Sequence, residues 1–169
     1  MLLDHPLLLR ALCEKDLAAL IRLANNKKIW DNLRNYFPHP YTQSDADQFL
    51  EKLIQEDPKL TFAIDHQNQF CGIIGLNKQS DVYEKSLEMG YWLGEEYWNM
   101  GIASKAVKLI TQYATQELGF ERIFTSVYAY NKASMRVLEK NNYILEGVFR
   151  KAVYKNENYV DEFRYAFVI

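Results

Sequence analysis

The sequence predicts a single mixed α/β domain, and three observations carry that expectation. Stretches with the two-residue alternation of strands and stretches with the helical 3.6-residue recurrence follow one another with no linker, repeat or low-complexity segment between them. The period is helical in the first third of the chain and strand-like afterwards, with two helical stretches set among the later strands. Apolar residues make up 49% of 169 positions, enough for one sizeable core in one domain of ordinary size.

Taken in order, the apolar run Leu7 to Leu12 reads as a strand. Leu17, Leu20, Ile21 and Ala24 recur at helical spacing, and Asn25-Asn26 can end that helix. Lys27 to Tyr36 is expected to form a second short helix before Phe37-Pro38-His39-Pro40-Tyr41-Thr42, where two prolines force a loop. Thr42 or Ser44 can cap the next helix, whose buried stripe is Ala46, Phe49, Leu50, Leu53 and Ile54 and which Asp57-Pro58 stops. Leu60 to Asp65 and Gln69 to Leu76 flank His66-Gln67-Asn68 as a hairpin. A polar loop from Asn77 to Lys85 leads to a strand over Ser86 to Leu93. The following helix places Ala103, Ala106, Val107, Ile110, Tyr113, Ala114 and Leu118 on one face, with Gly119 just past its end. Ile123, Thr125, Val127 and Ala129 alternate with Phe124, Ser126 and Tyr128 as a strand, and Asn131 can cap a helix through Lys140. Tyr143 to Tyr154 and Tyr159 to Val168 close the chain as a hairpin around Lys155 to Asn158.

Several function classes are disfavoured. Twenty basic against 22 acidic residues leave a formal charge of -2 and no basic stripe, so neither nucleic acid nor membrane is an expected partner. No apolar run approaches the ~20 residues that span a bilayer, and Asp4, His5 and Pro6 interrupt the N-terminus where a signal peptide needs an unbroken apolar core. Cys13 and Cys71 lie far apart, without metal-ligand or redox spacing. The expectation is a cytoplasmic, reduced protein without disulfides or metal.

The stretch from Glu88 to Leu118 organises the rest. A strand, a short turn over Trp98-Asn99-Met100-Gly101-Ile102-Ala103 and an amphipathic helix would aim free backbone N–H groups at one point, a site suited to phosphate. The P-loop pattern is absent, and Gly90, Gly94 and Gly101 do not have dinucleotide-fingerprint spacing. No Gly-x-Ser-x-Gly turn supports a serine hydrolase. Gly101 by itself is equally consistent with an ordinary strand-to-helix turn.

Its neighbours decide further. Gly90-Tyr91-Trp92-Leu93 and Tyr97-Trp98-Asn99-Met100-Gly101-Ile102-Ala103 resemble the RimJ/RimL-like branch of the GNAT N-acetyltransferases. Asn131 to Lys140 is similar to that family's Asn-x-x-Ser-x-x-Val-Leu-Glu-Lys helix, Glu146-Gly147-Val148 with Arg150-Lys151 to its next strand, and Phe37 to Thr42 to an N-terminal loop of the branch. The resemblance runs nearly end to end. It implies an α/β (α+β) GNAT fold, a mixed, centrally splayed sheet of about seven strands flanked by helices, in one domain over 1-169. It implies an acetyl-CoA-dependent N-acetyltransferase acting by direct attack of a primary amine. The competing reading is a CoA or acyl-CoA sensor on the same fold, without turnover.

The resemblance also implies roles. The backbone of Trp98, Asn99, Met100, Gly101, Ile102, Ala103 and Ser104 would hold the CoA pyrophosphate, with Trp98 standing where the family more often has Arg or Gln. The main chain of Met89, Tyr91, Trp92 and Leu93 would bond the pantetheine arm as an added strand, and an N–H near Met89 or Gly90 would polarise the acetyl carbonyl. Glu88 is the candidate base, acting through water, and Ser134 the candidate to protonate the thiolate. Leu138 occupies the place where many relatives carry a tyrosine, and Val153 the place where some carry a carboxylate. Asn131 could bond CoA or cap its helix. Arg150, Lys151 and Lys155 form either a solvated face or a contact for the CoA 3′-phosphate or an acidic acceptor, and Trp30, Asp31, Phe37 and Tyr41 fall in the region that walls the acceptor in relatives. The acceptor is expected to be a protein N-terminal amine or a small-molecule amine, and a homodimer is left open.

Overall fold

A computed structural model describes residues 2–169. One mixed sheet runs through the molecule in the order β1 (Leu2–Asp4), β2 (Leu7–Arg10), β3 (Thr61–His66), β4 (Gln69–Lys78), β5 (Ser86–Leu93), β6 (Arg122–Tyr128), β8 (Asn158–Val168) and β7 (Ile144–Lys155). Every pairing is antiparallel except β5 with β6. The helices are α1 (Leu17–Ala24), α2 (Lys27–Trp30), α3 (Gln43–Ile54), α4 (Ile102–Gln112) and α5 (Lys132–Glu139).

Strand alternation divides the core in two. Phe62, Ile64, Ile74, Leu87 and Met89 face one side of the sheet and pack with Ala106, Val107 and Ile110 of α4 and Met135 and Leu138 of α5. Ala63, Phe70, Ile73 and Trp92 face the other side and pack with Leu20 and Leu23 of α1 and Ala46, Leu50 and Leu53 of α3. From β2 to β5 the sheet is thus covered on both faces, with each register set by which side chains must be dry, whereas β7 is largely exposed.

The observed elements depart from expectation in a few places. The sheet has eight strands rather than about seven, because Leu2-Leu3-Asp4 folds back on Leu7–Leu9 as a three-residue strand too short to show a period. The helix expected from Lys27 to Tyr36 stops at Trp30, after a start capped by the Asn26 side chain. Ile54, placed in a buried stripe, ends α3 and is 68% exposed, because the Cα there has rotated past the packed face. Thr42 does cap α3, and Asp45 completes a capping box from the third position. α4 continues beyond Gln112 into a widened turn over Tyr113–Glu117 before Gly119 takes a left-handed φ of 71°.

Candidate active site

The site begins where the sheet opens. β5 and β6 pair over only three positions, Ser86 with Arg122, Leu87 with Ile123 and Glu88 with Phe124. Beyond Glu88 the two strands diverge. Met89 to Leu93 keep their β4 partners, Leu76 to Gly72, but have no partner on the β6 side. A backbone edge of this kind offers alternating N–H and C=O groups to an extended ligand, and the splay expected from the resemblance is present. A Cβ added at Gly90 would meet nothing within 4 Å, so the seam is open at its midpoint.

At the far end of β5 the chain makes the turn into α4. One helical turn over Glu95–Tyr97 leads to Trp98, whose indole Nε1 donates to the Leu93 carbonyl at 2.9 Å and ties the turn to the strand. Asn99 takes φ 62° and Gly101 φ 76°, both left-handed. At Gly101 a side chain would be strained whatever the space around it, which is the physical reason for glycine there. α4 has no side-chain cap and no acidic residue in its first turn. Its first intrahelical bond is from the Lys105 N–H to the Gly101 carbonyl, which leaves the N–H groups of Ile102, Ala103 and Ser104 as free donors at the positive end of the helix. An anion is what this arrangement can hold.

Seam and turn open into one cleft of about 720 Å³. Glu88, Met89, Tyr91, Trp92, Leu93, Trp98, Asn99, Gly101, Ile102, Ala103, Ser104, Asn131 and Ser134 all line it, so the residues expected to bind CoA or to act in catalysis come together there with one exception. Met100 does not: its side chain is exposed and lies outside the lining. The side chains on β5 also have structural duties. Met89 is buried against Tyr143, whose hydroxyl lies 3.9 Å from its sulfur, and Trp92 packs edge-on against Phe37 and Phe70. Asn131 caps α5, its Oδ1 accepting the Ser134 N–H at 3.1 Å.

Tyr91 and Ser134 meet across the opening, with their hydroxyl oxygens 2.7 Å apart. Burial pushes the Tyr91 phenol up to about 12, against a smaller opposing effect of the bond to Ser134. Glu88 is ion-paired with Arg34 from the segment after α2. Leu138 is fully buried in the core, and Val153 pairs with Val160 outside the cleft lining.

The proposed basic cluster on the closing hairpin breaks apart. Lys155 is buried, its ammonium 3.3 Å from the centroid of the Trp30 ring and bonded to the Leu33 carbonyl and Asn35 Oδ1. Burial lowers its pKa, with Asp31 acting in the opposite direction. Arg150 and Lys151 stay exposed, and none of the three lines the cleft. Of the four residues expected to wall the acceptor, only Phe37 reaches the cleft. Trp30 and Asp31 instead hold the hairpin and Tyr130, and Tyr41 is buried under Phe37.

Sequence reasoning passed over other lining residues. Lys132 and Arg136 of α5 and Lys140 at its C-cap recur every four positions, line the cleft and form no salt bridge among the described residues. A short basic stripe therefore exists, and its four-residue spacing was the available signal. Glu162 of β8 accepts from Ser126 Oγ at 2.9 Å and also faces the cleft. Only the pairing of β8 with β6 brings it there, so no local pattern marks it.

The model of the acetyltransferase (GNAT) domain matches residues 6–143. The chain belongs to the GNAT acetyltransferase family. It is 28% identical to the ribosomal-protein-serine acetyltransferase of Escherichia coli K12, over 98% of this chain and 94% of that protein. It is 23% identical to the spermidine N(1)-acetyltransferase of the same organism, over 95% and 84%. Among solved structures it resembles a GNAT-family acetyltransferase from Bacillus anthracis, with a TM-score of 0.86 at 25% identity over 99% and 97% of the two chains. It resembles equally a RimL ribosomal alpha-N-protein acetyltransferase in complex with coenzyme A, with a TM-score of 0.86 at 26% identity over 98% and 96%. As a GNAT-fold member of the RimJ/RimL-like branch, the protein is an acetyl-CoA-dependent N-acetyltransferase.

Proposed function

We propose that this acetyltransferase acts by direct attack of a primary amine, deprotonated in the site and belonging either to a protein N-terminus or to a small molecule, on acetyl-CoA held along the β5 seam. The observation that carries the reading is the convergence in one cleft of an open strand edge, an uncapped helix start and a carboxylate-bearing end. Acetyl-CoA supplies an activated acetyl thioester; the protein supplies its placement.

The N–H groups of Ile102, Ala103 and Ser104 would take the pyrophosphate, and the backbone of Met89, Tyr91, Trp92 and Leu93 the pantetheine amides. Trp98 and Asn99 shape that turn, and Asn131 caps the start of α5 in the same cleft. An N–H at Met89 or Gly90 would stabilise negative charge on the acetyl oxygen. Glu88 would draw a proton from the acceptor ammonium through water once Arg34 moves aside, and Ser134 would donate to the departing sulfur. Tyr36, Phe37, Tyr128 and Tyr130 line the cleft together with Glu88 and Glu162, a setting that suits an amine with an apolar stem. The E. coli relatives named for a ribosomal-protein serine and for spermidine are both amine acetylators, which supports the class without choosing within it.

No helix among the described residues is long and apolar enough to cross a membrane. Two cysteines without a disulfide, and a net charge of -2, favour a reducing cytoplasmic setting with neither nucleic acid nor membrane as partner. The test is thiol release from acetyl-CoA with a panel of N-terminal peptides and polyamines, with the acetylated nitrogen located by mass spectrometry. Release coupled to acetylation of a primary amine is expected. CoA binding without release for any amine would favour a sensor.

A further inference from the structure

We propose that Tyr91 is a positioning residue for the Ser134 hydroxyl: its phenol donates to Ser134 Oγ and so frees the serine's own proton to face the departing sulfur of CoA. The inference rests on the acetyl-transfer reading above and adds to it a residue so far given only a main-chain role.

The direction of the Tyr91–Ser134 bond follows from counting donors and acceptors. The two oxygens are 2.7 Å apart, and either could in principle donate. Among the described residues, Ser134 is the one hydrogen-bond partner of the Tyr91 hydroxyl. A phenol has a single proton, and one held away from water has to be given to an acceptor. Ser134 Oγ is that acceptor. The serine has no competing duty, because its N–H is taken by Asn131 Oδ1 and the helix cap is therefore made by asparagine. With one lone pair engaged by Tyr91, Ser134 still has its own O–H to give, and Ser134 is among the residues that line the cleft.

Two further points favour this order. Burial holds the phenol in its neutral, donating form across the whole neutral range, with a pKa pushed up to about 12. A donor bound to the serine oxygen also polarises the serine O–H and makes it a stronger donor in turn. The geometry depends on the splay: Tyr91 lies on β5 beyond the last residue paired with β6, and Ser134 lies in the first turn of α5. The dyad therefore bridges the opening through which the thioester must pass.

The chemistry balances without an ionised tyrosine. The N–C bond forms as the C–S bond breaks, and the electron pair leaves on sulfur. The acceptor ammonium loses two protons on becoming an amide N–H; one ends on sulfur and the other in solvent. A thiol ordinarily titrates near ~8.5, below the phenol, so Tyr91 keeps its proton and the dyad stabilises the thiolate by hydrogen bonding.

The test is a double-mutant cycle over Tyr91→Phe, Ser134→Ala and the double variant. Single-turnover thiol release is measured at saturating acetyl-CoA with spermidine and a serine-initiated peptide as acceptors, and CoA affinity by calorimetry. Tyr91→Phe should slow release about tenfold and leave CoA affinity within about twofold, which also shows that the variant is folded. In the Ser134→Ala background the same change should have no further effect. Equal slowing in both backgrounds, or an unslowed Tyr91→Phe, would overturn the proposal while leaving acetyl transfer intact. Absence of release by the unaltered protein with every amine would overturn both.

Discussion

Gly101 and Glu88 sit at opposite ends of the cleft and separate two jobs that a single rate constant would blur. At Gly101 the backbone has φ 76°, a region that a β-branched side chain cannot enter without strain, and α4 begins at the next residue. Gly101→Val should therefore misplace the free N–H groups and weaken acetyl-CoA binding tenfold or more. Glu88→Ala removes the carboxylate proposed as base and should chiefly lower turnover, with acetyl-CoA affinity nearly retained. Calorimetry and a pH profile of turnover separate the two variants; unchanged turnover at every pH in Glu88→Ala would remove it as base. Lys155 shows the opposite case at this scale. Its charge suggests a ligand contact in sequence, yet its ammonium is spent on Trp30, Leu33 and Asn35, which fix the segment that carries Arg34 toward Glu88.

Among the elements, β5 and α5 do most of the work, and both were readable. β5 has the bounds expected from its alternation, Ser86 to Leu93, and α5 starts at the cap expected from Asn131. Local pattern is strong there because each element has one dry face and a chemically distinctive start. What α5 presents to the cleft was not read. Lys132, Arg136 and Lys140 run from the first residue of α5 to its C-cap, roughly 12 Å along the axis, and form a cationic flank of the cleft. Replacing Arg136 and Lys140 by alanine should weaken CoA more than 3′-dephospho-CoA and flatten the salt dependence of binding. Equal weakening of both ligands would deny the stripe a role toward the 3′-phosphate. Glu162, Tyr128 and Arg34 escaped the sequence reading for a different reason. They reach the cleft only through strand pairing and a loop packed onto another element, and such long-range placement leaves no periodic trace.

At the scale of the whole molecule, the sheet is covered on both faces from β2 to β5, the closing β7–β8 hairpin is largely exposed, and β5 and β6 part beyond Glu88. That layout takes several phenols out of water. Burial pushes Tyr41 and Tyr91 up to about 12 and Tyr143 higher still, against about 10 in an unfolded chain. The folded state thus holds protons that the unfolded state releases first. Their contribution is fully present below about pH 10 and is lost as pH rises toward 12. Urea unfolding between pH 9 and 12 should show stability falling across that window, less steeply in Tyr41→Phe; a flat profile would contradict the burial of these groups. In the same layout the opening joins an unpaired strand edge to the uncapped start of α4, which suits a long, phosphate-bearing thioester. Thermal unfolding with and without acetyl-CoA tests that claim most directly. At 100 times its dissociation constant the ligand should add about 2.7 kcal/mol to stability, with the melting temperature raised in the unaltered protein and much less so in Gly101→Val. No shift at millimolar acetyl-CoA would contradict the account.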